Sequence, residues 1–127
     1  MELKEYFEKN KGTGILSTAD SDGNVDSAIY ARPHVMEDGK LVLLMRNRLS
    51  YSNLQSNPKA AYLFLEQGPG YKGVRFFLKK VKEDTDPELI ASLRRRVYHE
   101  DITGEEETHA VFFDITKELP LIGARKR

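Results

Sequence analysis

The apolar and polar positions of this chain change their period several times, and each change marks an element. Leu3, Tyr6 and Phe7 recur at helical spacing before Gly12, which predicts a short amphipathic helix over residues 2–10 that lids the core. Residues 14–19 read as a strand, stopped by Asp20, Ser21, Asp22 and Gly23, whose acidic side chains and glycine suit a tight hairpin. In the following strand Val25, Ser27, Ile29 and Ala31 alternate with Asp26, Ala28, Tyr30 and Arg32. One face is therefore small and mostly apolar, and the other bears a ring and a cation. A second hairpin at residues 36–39 leads to the run 41–45, which does not alternate. Such a run predicts a strand covered on both faces, here expected to lie between a barrel interior and a dimer partner.

The run breaks at Arg46, Asn47 and Arg48, and a short polar segment follows, with Ser50 expected to cap a helix from about Tyr51 to Asn57. A second apolar strand spans residues 60–65, residues 67–73 form a glycine-rich connection, and Val74, Phe76 and Leu78 alternate with Arg75, Phe77 and Lys79 in another strand. Asp86 followed by Pro87 starts a further helix, with Leu89, Ile90, Leu93 and Val97 as its buried stripe. A charged connection over 101–107, a strand over 110–115 and an apolar tail over 119–122 complete the chain. Six strands with three helices, in that order, predict a mainly β fold, an antiparallel barrel with peripheral helices, and not a doubly wound α/β sheet.

Composition narrows the class. The 127 residues, 39% hydrophobic, suit a single compact domain, and no repeat or linker divides them. Twenty basic and twenty acidic residues cancel, so no global field favours nucleic acid or an anionic membrane. The absence of cysteine excludes disulfides, thiolate metal sites and a cysteine nucleophile, and His34, His99 and His109 lack metal-ligand spacing. No run reaches membrane-spanning length and the start of the chain is charged from its second residue, so a cytoplasmic location is expected.

The chemistry-bearing stretch is the turn between the two apolar strands. Two guanidiniums offer forked donors beside a helix start whose first N–H groups lack intrahelical partners, an arrangement suited to a phosphate. The competing reading is a solvated turn. Gly68-Pro69-Gly70-Tyr71-Lys72-Gly73 matches G-x-G-x-x-G, yet the element that follows is a strand and Pro69 removes a donor, so a dinucleotide fingerprint is excluded and a hairpin loop is expected. Arg94 to Arg96 and Glu105 to Glu107 read as solvated runs, and no G-x-S-x-G elbow occurs.

Asn53-Leu54-Gln55-Ser56-Asn57-Pro58 after a hydrophobic strand resembles the NLxxNP segment of the pyridoxamine 5′-phosphate oxidase-like flavoproteins. The hairpins at 20–23 and 37–39 and Gly68-Pro69-Gly70 fall in the same order as in that family, so the resemblance covers roughly residues 12–115. It implies a six-stranded split β-barrel that binds FMN between two subunits of a homodimer. Three residues before Asn53, where the family often has lysine, this chain has Ser50, which places phosphate contact on other residues. With the resemblance, Arg46, Asn47, Arg48, Ser50 and Tyr51 become phosphate-end candidates and Arg32 a reinforcing one. The Gly68, Pro69, Gly70 and Tyr71 loop is expected to approach the flavin ring, glycine permitting close backbone contact. The implied function is flavin redox chemistry fed by NAD(P)H or a redox protein, with no residue in visible acid–base work. A flavin carrier or sensor and a cofactor-free interaction barrel are the other readings, and F420 and haem are alternative ligands within the family.

Overall fold

A computed structural model describes residues 2–94 and 107–123. In chain order the elements are α1 (Leu3–Lys9), β1 (Gly12–Ala19), β2 (Val25–Tyr30), β3 (His34–Val35), β4 (Leu41–Arg46), α2 (Leu49–Ser56), β5 (Lys59–Glu66), β6 (Gly73–Asp84), α3 (Pro87–Arg94) and β7 (Thr108–Pro120). The seven strands form one sheet in the order β2-β1-β5-β6-β7-β4-β3, antiparallel throughout. Consecutive strands β2 and β3 occupy opposite edges of this sheet. Four Cα steps, from Tyr30 to His34, reach at most about 14 Å, whereas the edges of a flat seven-stranded sheet stand about 29 Å apart. The sheet must therefore curl until its edges approach, which makes it a split barrel.

Seven strands replace the expected six because β3 has only two residues, too few for any period to register, yet pairs with β4 through His34–Val42 and Val35–Leu41. Strands β6 and β7 also run further than their apolar stretches suggested, to Asp84 and Pro120. Two bulges in the β6–β7 ladder, at Phe77/Leu78 and Lys80/Lys82, absorb the mismatch. Val97, His99, Arg95, Arg96 and the connection over 101–106 lie outside the described residues.

The fully buried part of the barrel interior comes from β1, β4, β5, β6 and β7, with Leu16, Tyr62, Phe64, Phe76 and Phe113 buried without trace of exposure, and Tyr30 of β2 and Val35 of β3 pack against it. As expected, α1 lids this core: Phe7 packs edge-on against Phe64 at 5.3 Å and Tyr62 at 6.3 Å, within the range of favourable aromatic pairs. Gly14 is buried beneath Tyr62, whose hydroxyl donates to Ala31 O at 2.9 Å; a Cβ at Gly14 would lie 1.9 Å from that hydroxyl oxygen.

One expectation is corrected here. The second face of β4 is covered by this chain's own helix α3, not by a partner: Val42 packs with Ile90, Leu93, Ala110 and Phe112 in a second, smaller core. Among the described residues Leu49, Tyr71, Val81 and Ile122 are exposed singly, whereas β2 exposes two large apolar side chains on one face. Its ring-bearing face, through Tyr30, turns toward the core, leaving Val25 81% and Ile29 76% exposed. Among the described residues no helix is long and apolar enough to cross a membrane.

Candidate functional site

The turn after β4 is tight, with Arg48 N donating to Arg46 O at 2.7 Å. Arg48 is the N-cap of α2, in extended conformation (φ −124°, ψ −174°), and no side chain caps the helix start. The expected cap, Ser50, is thereby corrected. The helix begins at Leu49, so Ser50 lies inside its first turn, where it is buried and its Oγ stands 3.4 Å from Asp26 Oδ2. Tyr30 shares this pocket. Burial pushes its phenol above the ordinary value; Asp26 adds to that rise, while the bond to Ser50 and the Arg48 charge oppose it. Asn47 and Arg48 are exposed and Arg46 is half-buried, and both arginines engage partners in the chain.

Beneath the turn lies a polar cluster that the sequence did not announce. The His109 ring, 6% exposed, stacks on Tyr51 at 4.0 Å with 14° between planes, and its Nε2 is 2.9 Å from Asn47 Oδ1. Glu83 accepts from Tyr51 Oη at 2.5 Å, Gln55 Nε2 at 3.0 Å and Lys80 Nζ at 2.6 Å. Burial raises the Tyr51 phenol, and with the Glu83 bond lifts it to about 12, so it stays protonated and donates. For Glu83 burial also acts upward, but the bonds from Lys80, Tyr51 and Gln55 outweigh it and hold the carboxyl at about 2.

Both missed residues have a physical reason. His109 lies two and four residues before Val111 and Phe113, which face the barrel interior, so strand period alone places it inside. Glu83 has no such signal. The bulge at Val81 shifts the phase of β6 so that Lys80 and Glu83, three apart, share one face and meet, a re-aiming that simple alternation cannot show.

The remaining candidates stand elsewhere. Arg32 donates through Nη1 to Phe7 O at 2.7 Å and Asn10 O at 3.0 Å, so it closes the C-terminal end of α1. The Gly68–Tyr71 loop is exposed, with Gly68 (φ +120°) and Gly70 (φ +82°) in the left-handed region and open space where a Cβ would stand. Tyr71 is 76% exposed. This loop leads into the Gly73 end of β6, whereas Asn47 and Tyr51 are fastened beside Glu83 at the other end. Ten residues of strand separate the two, on the order of 30 Å. One chain does not bring the arginine turn and the glycine loop together.

No family model matches the sequence, and no curated protein is similar to it. Solved structures are. An FMN-binding protein from Syntrophomonas wolfei superposes with a TM-score of 0.75 at 20% identity, covering 96% of this chain and 85% of its own. An F420 reductase gives 0.72 at 16% identity, with 93% and 97% covered. A candidate pyridoxamine 5′-phosphate oxidase from Lactobacillus delbrueckii gives 0.69 at 19% identity, with 94% and 92% covered. The resemblance drawn from the sequence thus holds at the level of the fold, a split barrel with three helices.

Proposed function

We propose that this split barrel binds FMN between two copies of the chain. The observation that carries the reading is the arginine turn itself: two arginines precede a helix start that no side chain among the described residues caps, at the end of a strand in a fold shared with an FMN-binding protein. Charge-assisted donors and unpaired helical N–H groups suit a dianion. In this reading Arg46 and Arg48 take the phosphate with the first N–H groups of α2, while Asn47, Ser50 and Tyr51 shape the turn around it. Arg32, engaged with the carbonyls that end α1, stands apart from this grip.

The second copy enters through geometry. Since the turn and the Gly68–Tyr71 loop of one chain are a strand-length apart, a slot that uses both draws them from two copies. The bare face supports this, because Ile29, Ile15 and Leu63 stand in one register row across β2, β1 and β5. An apolar row ending in exposed Ile29, with exposed Val25 further along the same edge strand, is a surface that association would bury.

When bound, the flavin supplies hydride or electron transfer, and the protein supplies position and electrostatics. The donor would be NAD(P)H or a redox protein, and the setting cytoplasmic. The test compares FMN with riboflavin by fluorescence quenching in the wild type and in Arg48→Ala. Loss of one charge-assisted contact, about 1.5–3 kcal/mol, should weaken FMN roughly tenfold to a hundredfold and leave riboflavin almost unchanged. Equal loss for both ligands would contradict the phosphate assignment. Reduction by NAD(P)H followed by reoxidation by an acceptor then separates an oxidoreductase from a carrier.

A further inference from the structure

We infer that His109 is a positioning residue of the proposed site: it holds the arginine turn in the shape that meets the phosphate. The inference rests on the FMN reading and deepens it. An amide oxygen only accepts, so the 2.9 Å bond to Asn47 Oδ1 places the ring proton on His109 Nε2. Asn47 is exposed and stands between the two arginines, and this bond ties the turn to β7 from below. The other ring nitrogen, Nδ1, is buried without a hydrogen-bond partner among the described residues and faces Glu83 Oε1 at 3.7 Å. A buried ring nitrogen left unmet in this way costs stability, so packing alone does not account for a histidine here.

The ring also acts through its face. Stacked on Tyr51, it presses the first turn of α2 toward β6, where Glu83 takes the Tyr51 hydroxyl and Gln55 one helical turn later. Asn47 and Tyr51 lie on either side of Arg48. Fixing both leaves the backbone at the helix start a single conformation, which lowers the entropy lost when an anion is bound.

The experiment measures FMN and riboflavin affinities for His109→Phe, Asn47→Ala, the double variant and His109→Gln, with Arg48→Ala as reference. His109→Phe keeps the stacking ring and removes the bond to Asn47. It should weaken FMN on the order of tenfold, the equivalent of one hydrogen bond, with riboflavin unaffected. His109→Gln, which restores an N–H donor, should recover part of the loss. In the Asn47→Ala background, a surface change that does not threaten folding, His109→Phe should add nothing further. The Asn47 side-chain amide resonances of the ligand-free protein should move on His109→Phe. The inference is overturned if His109→Phe weakens both ligands alike, or has its full effect without Asn47, while Arg48→Ala still discriminates FMN from riboflavin. If Arg48→Ala itself fails to discriminate, the phosphate reading falls and the inference with it.

Discussion

Replacing Glu83 with glutamine removes a charge and almost no volume, and its effect can be followed by pH. In the folded protein three donors hold the carboxyl at about 2, against an ordinary value of 4.5. A folded pKa below the unfolded one stabilises the native state above the unfolded value, and that stabilisation is lost as pH falls toward the folded value. The window is therefore from 4.5 down to about 2. That displacement corresponds to about 3 kcal/mol. The Glu83 side chain is 25% exposed, and solvent screening brings the expected contribution to about half of that, ~1–2 kcal/mol. Urea unfolding of wild type and Glu83→Gln across this range is the assay. The variant should be less stable by that amount at neutral pH, and the two curves should converge near the lower end of the window. A constant offset at every pH would refute the reasoning, since the loss would then come from disturbed geometry and not from a stabilised charge.

Two further substitutions probe the scaffold and the loop. Gly14→Ala drives a Cβ into the buried Tyr62 hydroxyl and should cost about 1–3 kcal/mol in denaturant unfolding, with the loss partly relieved when Tyr62→Phe is added; a neutral Gly14→Ala would contradict the packing described. At Gly70 a Cβ meets no neighbour among the described residues, but Gly70→Val must adopt φ near +82°, so stability should fall by roughly 1–3 kcal/mol in the absence of flavin. If the loop approaches the ring in the second copy, the same variant should shift the flavin spectrum and reduction potential when loaded with FMN; an unshifted potential would remove the loop from the site.

Much of the architecture was legible because it follows from periodicity. The α1 stripe, the hairpins, and the strands around Leu16, Val74 and Phe112 all come from apolar spacing that the fold obeys. Other features depend on what spacing does not encode. Alternation in β2 separates two faces without saying which is inside, and the answer turned on the Tyr30 ring, which fills interior volume that Ile29 would leave open. The cover on β4 was read correctly as two-sided but assigned to a partner, because sequence alone does not show that α3 folds back over Val42. The arginine turn was recognisable from charge and a following helix. Its support was not, since Glu83 reaches Tyr51 only through a bulge and His109 reaches Asn47 from 62 residues away.

The central claim, FMN held between two copies, is tested most directly by sedimentation velocity of the FMN-loaded protein, followed at the protein and flavin absorption bands together. Ile29→Lys, which puts a charge in the exposed apolar row, serves as the comparison. The account predicts that flavin in the wild type travels with a dimer, and that Ile29→Lys sediments as a folded monomer without flavin. A wild-type monomer carrying flavin at micromolar concentration would contradict it.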